Sequence, residues 1–367
     1  MSRIGVLITG PSLQEQGGVA NYYNAVLPFL RERSAIDVHY MEVGSAKGSC
    51  GVLHPLVDQL RFRKILNELN PSLVHVNPSL NLKSFLRDGL FVYQAKRRGF
   101  PVVVFFRGWL DQFETSVERS FMWFFRKTYL QADAFIVLAS SFREKLRSWG
   151  VTAPISLGTT TISDSFVHEF SIMEKVKSLE TEPVFKVLFL ARLERGKGAL
   201  ETMEAVSLLR ARGRAVSLTI AGDGRAMGDV LKFAESHKEM EGGLHITGDV
   251  RGERKKALLT THHFYCLPTH GEGMPNSVLE AMAFGMPVIT CPVGGICDFF
   301  ENGKMGYLLK ERTASQVANA IEKLIDDRAG IIDMSMFNHS YAMKHFLATN
   351  VADELLKVYR QTAVKRN

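Results

Sequence analysis

Residues 185–224 read FKVLFLARLERGKGALETMEAVSLLRARGRAVSLTIAGDG, and this stretch decides the fold. Its two ends, 185–192 and 215–224, are short continuous apolar runs of the kind buried on both faces of a sheet. Between them, 198–212 repeats apolar residues at a spacing of three and four, which is helical. A strand, a crossover helix and a second strand in so short a span form a βαβ unit, whose strands must run parallel.

The same rhythm extends outward in both directions. Downstream, strands are expected at 243–249, 263–268, 286–292 and 306–309, with helices at 225–239, 253–261, 276–284 and 313–327. Upstream, strands fall at 4–10, 37–43, 72–78, 101–108 and 134–140, and helices at 19–33, 55–69, 84–98, 118–130 and 141–150. Near 165–183 the pattern lapses into a polar stretch that suits an interdomain linker. The expectation is an α/β protein with two doubly wound, Rossmann-like parallel-sheet domains, 1–170 and 171–349. A last amphipathic helix, about 350–367, would cross back onto the first domain. A chain of 367 residues suits two such cores better than one.

Composition narrows the function. The net charge is +7, with +5 in residues 1–170 and +2 beyond. The excess is spread over several helices and comes without a zinc-finger, RNP-like or helix-turn-helix pattern, which argues against nucleic acid as a partner. No apolar run is long enough to span a bilayer. Four cysteines, Cys50, Cys266, Cys291 and Cys297, show no metal-ligand spacing and read as reduced thiols, and the N-terminus lacks the pattern of a secretory signal. A cytoplasmic protein is expected.

Ligands of an open parallel sheet bind beyond the carboxyl ends of its strands. Three successive strand ends in the second half are rich in chemistry: Arg192 and Lys197 in ARLERGKG, Gly222 in GDG, and Glu272 with Glu280 in THGEGMPNSVLEAMAFGMPVI, residues 269–289. Point charges, a glycine turn and a helix N-terminus, with Asn276 or Ser277 as cap and Gly285 as stop, suit a nucleotide diphosphate. Taken singly, each is an ordinary loop charge or turn. Their joint occurrence at neighbouring strand ends favours a site.

These motifs resemble those of retaining glycosyltransferases of the GT-B fold, the "group 1" family of bacterial mannosyl-, glucosyl- and N-acetylhexosaminyltransferases. Glu272 and Glu280, with seven residues between them, match the family's paired glutamates, and ARLERGKG matches its Arg and Lys pair. IAGDG (220–224) and VGGICDFFENGKMGYLL (293–309) also fit. The resemblance implies a UDP- or GDP-sugar donor, no cofactor and no metal. Arg192 and Lys197 would neutralise the leaving diphosphate, Glu272 would face the transferred sugar, and Glu280 the ribose. The backbone of Gly273, Met274, Pro275, Asn276 and Ser277 would hold sugar and phosphates, with Gly17 and Gly18 serving from the loop after the first strand. Arg251 is a candidate base contact. Same-face displacement is expected, because a carboxylate committed to ribose cannot be the second member of a hydrolase-type pair. One departure stands out: the family's histidine after the fourth strand is replaced by Arg107. That arginine could bind a carboxylate, the diphosphate or the sugar, or be paired within its own domain. His75 is either a sugar contact or a core histidine.

The acceptor implied is a saccharide, free or lipid-linked, in surface polysaccharide synthesis. Residues 118–130 set Phe121, Trp123, Phe124 and Phe125 beside Arg119, Arg126 and Lys127, so peripheral contact with an anionic membrane is a further expectation. The alternatives are a nucleotide-sugar epimerase or hydrolase, and a non-catalytic glycan- or nucleotide-binding protein.

Overall fold

The computed structural model describes residues 3–15, 17–44 and 54–363; Cys50 lies outside the described residues. The chain divides into two compact units, residues 1–161 with 348–367, and residues 162–347.

The first unit is built on a six-stranded sheet. Its order is Ile36–Glu42, Ile4–Gly10, Leu73–Val76, Val102–Phe105, Ala134–Val137, Ile155–Leu157, and every neighbouring pair is parallel. The three central strands are buried along nearly their whole length, as expected where helices cover both faces of a parallel sheet. Helix Gly18–Glu32 packs on the C-terminal helix Ala348–Ala363, which thereby belongs to this unit. A short parallel pair, Ser79–Leu80 with Gly108–Trp109, lies beyond the ends of two central strands.

The second unit repeats the architecture in the order Leu244–Gly248, Val216–Ala221, Phe185–Leu190, Phe264–Leu267, Val288–Thr290, Gly306–Leu308, again parallel throughout. Chain order reverses between Phe185–Leu190 and Phe264–Leu267. In open parallel sheets, ligands bind beyond the carboxyl ends of the strands at such a reversal point. Both strands carry their apolar side chains into one core with helices Ala199–Ala211, Asn276–Ala283 and Ala314–Asp326.

The structure corrects four sequence expectations. The expected linker, 165–183, is largely helical: Ser171 Oγ caps Ile172–Thr181, whose Lys175 and Leu179 are buried within the second unit. The domain boundary accordingly falls at 161–162 instead of 170, where Ile162 bridges to Leu347. Helix Arg328–His345 went unrecognised because its buried positions include polar Ser335 and Asn338. The Asn338 amide donates to the Met286 and Met305 carbonyls, so apolar periodicity does not mark the face. Finally, 118–130 is not one helix. A π-turn at Val117–Phe121 precedes a short α-helix, Met122–Lys127, and turns Phe124 and Phe125 into the core while Trp123 stays 62% exposed.

Candidate functional site

In the second unit the loops after the two strands at the reversal point are tied to one another. The His270 amide donates to Gly196 O at 2.9 Å, joining the loop that carries Glu272 to the turn that carries Lys197. Gly198 sits at φ +85°, and an added Cβ would come within 2.4 Å of Pro268 O, so only glycine permits this approach. On the other flank, Gly295 N donates to Gly273 O at 2.7 Å. Loops from three strands thus fix the backbone around Glu272.

The charged side chains are paired. Lys197 Nζ bridges to Glu272 Oε1 and also donates to Gly271 O at 3.2 Å. Glu280, on the helix, is held by Lys255 Nζ at 2.7 Å, with that ammonium 4.9 Å from the centre of the Phe166 ring. Arg192 is exposed and has no ion pair among the described residues. Among the described residues, these segments thus carry two lysine–glutamate pairs and, in Arg192, a cation without an ion pair.

Helix Asn276–Ala283 begins after Pro275, with no side-chain cap, and ends at Phe284 with Gly285 at φ +65°. The expected side-chain cap is thus absent. Asn276 and Ser277 instead occupy the first two helical positions, whose amides have no intrahelical acceptor. Ser277 is committed elsewhere: its Oγ lies 2.6 Å from Tyr265 Oη, which donates to Leu190 O at 2.8 Å. That bond anchors the start of the helix to both central strands. Free amides at a helix N-terminus favour an anion, and this one has Glu272 on the loop before it and Glu280 one turn within it. Met274 packs against the core, and Gly273 carries the carbonyl already described.

Gly222 plays a different part. Its φ is +148°, an added Cβ would lie 1.9 Å from Ala191 O, and Leu193 N donates to Asp223 O at 2.9 Å. The Gly-Asp-Gly turn is therefore the backbone partner of the Arg192 loop. Arg251 is bound to Asp249 at 2.5 Å, with both side chains more than half exposed.

In the first unit, Gly17 and Gly18 are exposed and open helix Gly18–Glu32, with Gly17 as a cap that offers no side chain. His75 is a core residue: fully buried, it lies 2.6 Å from Tyr359 Oη through Nδ1 and 3.5 Å from Tyr23 Oη through Nε2. Burial first, and the nearby Arg107 charge second, pull its pKa down to about 3, so it is neutral. Its reading as a sugar contact is thereby corrected. Arg107 is also buried, 8% exposed, with its guanidinium carbon 3.9 Å from the Tyr22 ring centre and 4.2 Å from that of Phe105.

Sequence reasoning missed Lys255 and Tyr265. Lys255 is one of three consecutive basic residues, and nothing in that run marks which of them reaches a glutamate 25 positions away. Tyr265 lies within an apolar strand and reads as core. Among the described residues no group of three or more His, Cys, Asp or Glu side chains is placed to hold a metal ion, and no helix is long and apolar enough to cross a membrane.

Residues 184–327 match the family described as Glycosyl transferases group 1, and residues 10–156 the Glycosyl transferase 4-like domain. The chain is 26% identical over 183 residues to an alpha-D-kanosaminyltransferase of Streptomyces kanamyceticus, covering 50% of this chain and 47% of that one. It is 29% identical over 153 residues to the amylovoran biosynthesis glycosyltransferase AmsK of Erwinia amylovora, covering 40% and 37%. The aligned region thus spans less than half the length of these curated relatives. Among solved structures, Anabaena HepE in complex with UDP and glucose superposes with a TM-score of 0.69 at 17% identity, over 97% of this chain and 99% of that one. At that identity the likeness concerns the fold, two Rossmann-like domains of the GT-B class.

Proposed function

The chain belongs to the group 1 glycosyltransferases, and from that premise we propose that it transfers a hexose-type sugar from a UDP- or GDP-sugar to a saccharide acceptor, with retention of anomeric configuration. The single observation that carries this reading is the pair of lysine–glutamate bridges at helix Asn276–Ala283 and the loop before it, with Arg192 exposed on the loop that also carries Lys197. The diphosphate would occupy the amide end of helix Asn276–Ala283, with Arg192 and Lys197 neutralising the charge that develops as the glycosidic bond breaks. That neutralisation needs no divalent metal and no further cofactor. Glu280, oriented by Lys255, would accept hydrogen bonds from the ribose hydroxyls, and Glu272 those of the departing sugar. Arg251, which already leans on Asp249, would border the base.

Retention is carried over from the family resemblance, and the same division of labour sets its route. With both glutamates committed to donor hydroxyls, neither flanks the scissile bond as a nucleophile. The acceptor hydroxyl would attack on the face the diphosphate leaves, passing its proton to a phosphate oxygen. Polysaccharide-building relatives support a saccharide acceptor, as the name of AmsK indicates. A lipid-linked form would fit the exposed Trp123 with Arg119, Arg126 and Lys127 around it at an anionic membrane surface.

The test is an acceptor-dependent transfer assay with UDP- and GDP-hexoses in EDTA, with the anomeric configuration of the product read by NMR. An α-donor giving an α-product supports the proposal. An inverted product, or donor consumption that ignores the acceptor, overturns it in favour of another mechanism or a hydrolase.

A further inference from the structure

Arg107 is a buried cation that makes no ion pair among the described residues. Its Nε and Nη1 are enclosed and have no hydrogen-bond partner. The groups that surround it are the phenols of Tyr22, Tyr23 and Tyr40 and the neutral His75, with no carboxylate in ion-pair contact among the described residues. Burial pulls its pKa down, and the phenols of Tyr22, Tyr23 and Tyr40, with a hydrogen bond to Tyr22, compensate only in part; the guanidinium also lies over the Tyr22 and Phe105 rings. Removing a guanidinium from water without a counter-ion is among the most costly things a fold can do. A buried polar group left unsatisfied calls for a partner, and a bound anion is one that answers it.

Two features of the neighbourhood point to the same ligand chemistry. Arg107 follows Val102–Phe105, at the carboxyl end of a central strand, which is the binding side of a parallel sheet. Tyr22, the ring beneath the guanidinium, stands just past the first turn of Gly18–Glu32. That helix spans 15 residues, has no acidic residue in its first turn, and is entered through two exposed glycines with open space where a Cβ would be. A helix N-terminus and an unanswered guanidinium meet at one aromatic ring, and both favour an anion.

We propose that the first unit carries a subsite for an oxyanion of the acceptor, a sugar carboxylate or a phosphate, with Arg107 as its charged contact. This rests on the glycosyl-transfer reading for the word acceptor, but the oxyanion subsite stands on the first unit alone. An acceptor lacking the anionic group would leave the guanidinium unpaired and be discriminated against.

The experiment uses the full chain and four probes: glucuronate, inorganic phosphate, neutral glucose, and UDP or GDP. Binding is followed by ligand-observed NMR and calorimetry in the wild type, Arg107→Met and Arg107→Lys. Glucuronate or phosphate is expected to bind saturably and glucose not, with the stronger of the two identifying the source of the oxyanion. Arg107→Met should lose roughly 10- to 100-fold in that affinity, the equivalent of one charged hydrogen-bonding group. It should leave nucleotide affinity unchanged and keep or raise the unliganded Tm, because an uncompensated charge has been removed; a purely structural arginine would lower the Tm instead. The inference is overturned if neither anion binds the wild type, if both bind Arg107→Met equally well, or if Arg107→Met loses nucleotide affinity, which would place the arginine on the donor. Absence of nucleotide binding in the wild type would count against the proposed function and not against this subsite.

Discussion

Replacing Glu272 by Gln should move nucleotide binding and turnover in opposite directions. In the unliganded protein the Glu272 carboxylate occupies the Lys197 ammonium, with side chains 17% and 19% exposed. A diphosphate arriving at the helix N-terminus must compete with that carboxylate for the same cation. A pair of this accessibility is worth about 0.2–1 kcal/mol, so Glu272→Gln should tighten UDP or GDP binding by up to about fivefold. The nucleotide carries no sugar, so nothing is lost in exchange. Transfer is different: the contact to the departing sugar is weakened where positive charge develops, and kcat should fall about 10²- to 10³-fold. Lys197→Met should weaken nucleotide binding by roughly tenfold or more, and in the double variant the gain from Glu272→Gln should vanish. Calorimetry with the nucleotide and initial rates with the donor measure both quantities. If Glu272→Gln weakens nucleotide binding, or if the gain survives in the absence of Lys197, the competition does not exist and the reasoning fails.

Further outcomes follow from particular residues. Gly222→Ala places a Cβ against Ala191 O in a backbone region closed to other residues, and should cost about 2–4 kcal/mol, or roughly 5–15 °C in Tm; a change under about 1 kcal/mol by urea unfolding would show that the loop yields freely. His75, His262 and His263 are held neutral by burial, with pKa values pulled down to about 3, 4 and 3. The folded state therefore binds fewer protons than the unfolded, and stability present near pH 7 is lost as pH falls below about 6.5, by up to about 1.4 kcal/mol per pH unit for each histidine. His263→Gln should remove about a third of that slope between pH 6 and about 4.5, and urea unfolding at several pH values would contradict this if stability were flat or rose on acidification. In flotation with anionic vesicles at low salt, the wild type should rise with the lipid and Trp123→Ala should not; equal behaviour of the two excludes Trp123 as the contact.

The legibility of the sequence varied with the kind of interaction. The parallel strands were visible because burial on both faces makes them continuous apolar runs, and Ile4–Gly10 was located to the residue. Helix Arg328–His345 was not, since Asn338 and Ser335 face inward and break the period that signals a buried face. Edge strand Ile155–Leu157 is too short and too exposed to stand out. The loops bearing Arg192, Lys197, Glu272 and Glu280 could be found because strand ends concentrate chemistry, yet their pairing could not. Lys255 reaches Glu280, and Lys197 reaches Glu272, only after the sheet has brought distant segments together. Arg107 stands out as a departure from the family pattern, whereas its lack of a counter-ion depends on how the fold packs Tyr22, Phe105 and His75 around it.

We propose that the second unit holds a nucleoside diphosphate through Arg192, Lys197 and the start of helix Asn276–Ala283, with no metal. Calorimetric titration of the whole protein with UDP and GDP in EDTA tests it most directly, comparing wild type with an Arg192→Met, Lys197→Met double variant of unchanged Tm. Binding at one site, selective for one of the two nucleotides and saturating without metal, is expected, weakened by about 10²-fold or more in the double variant. Binding that appears only when a divalent cation is restored, or that survives loss of both cations, would contradict it.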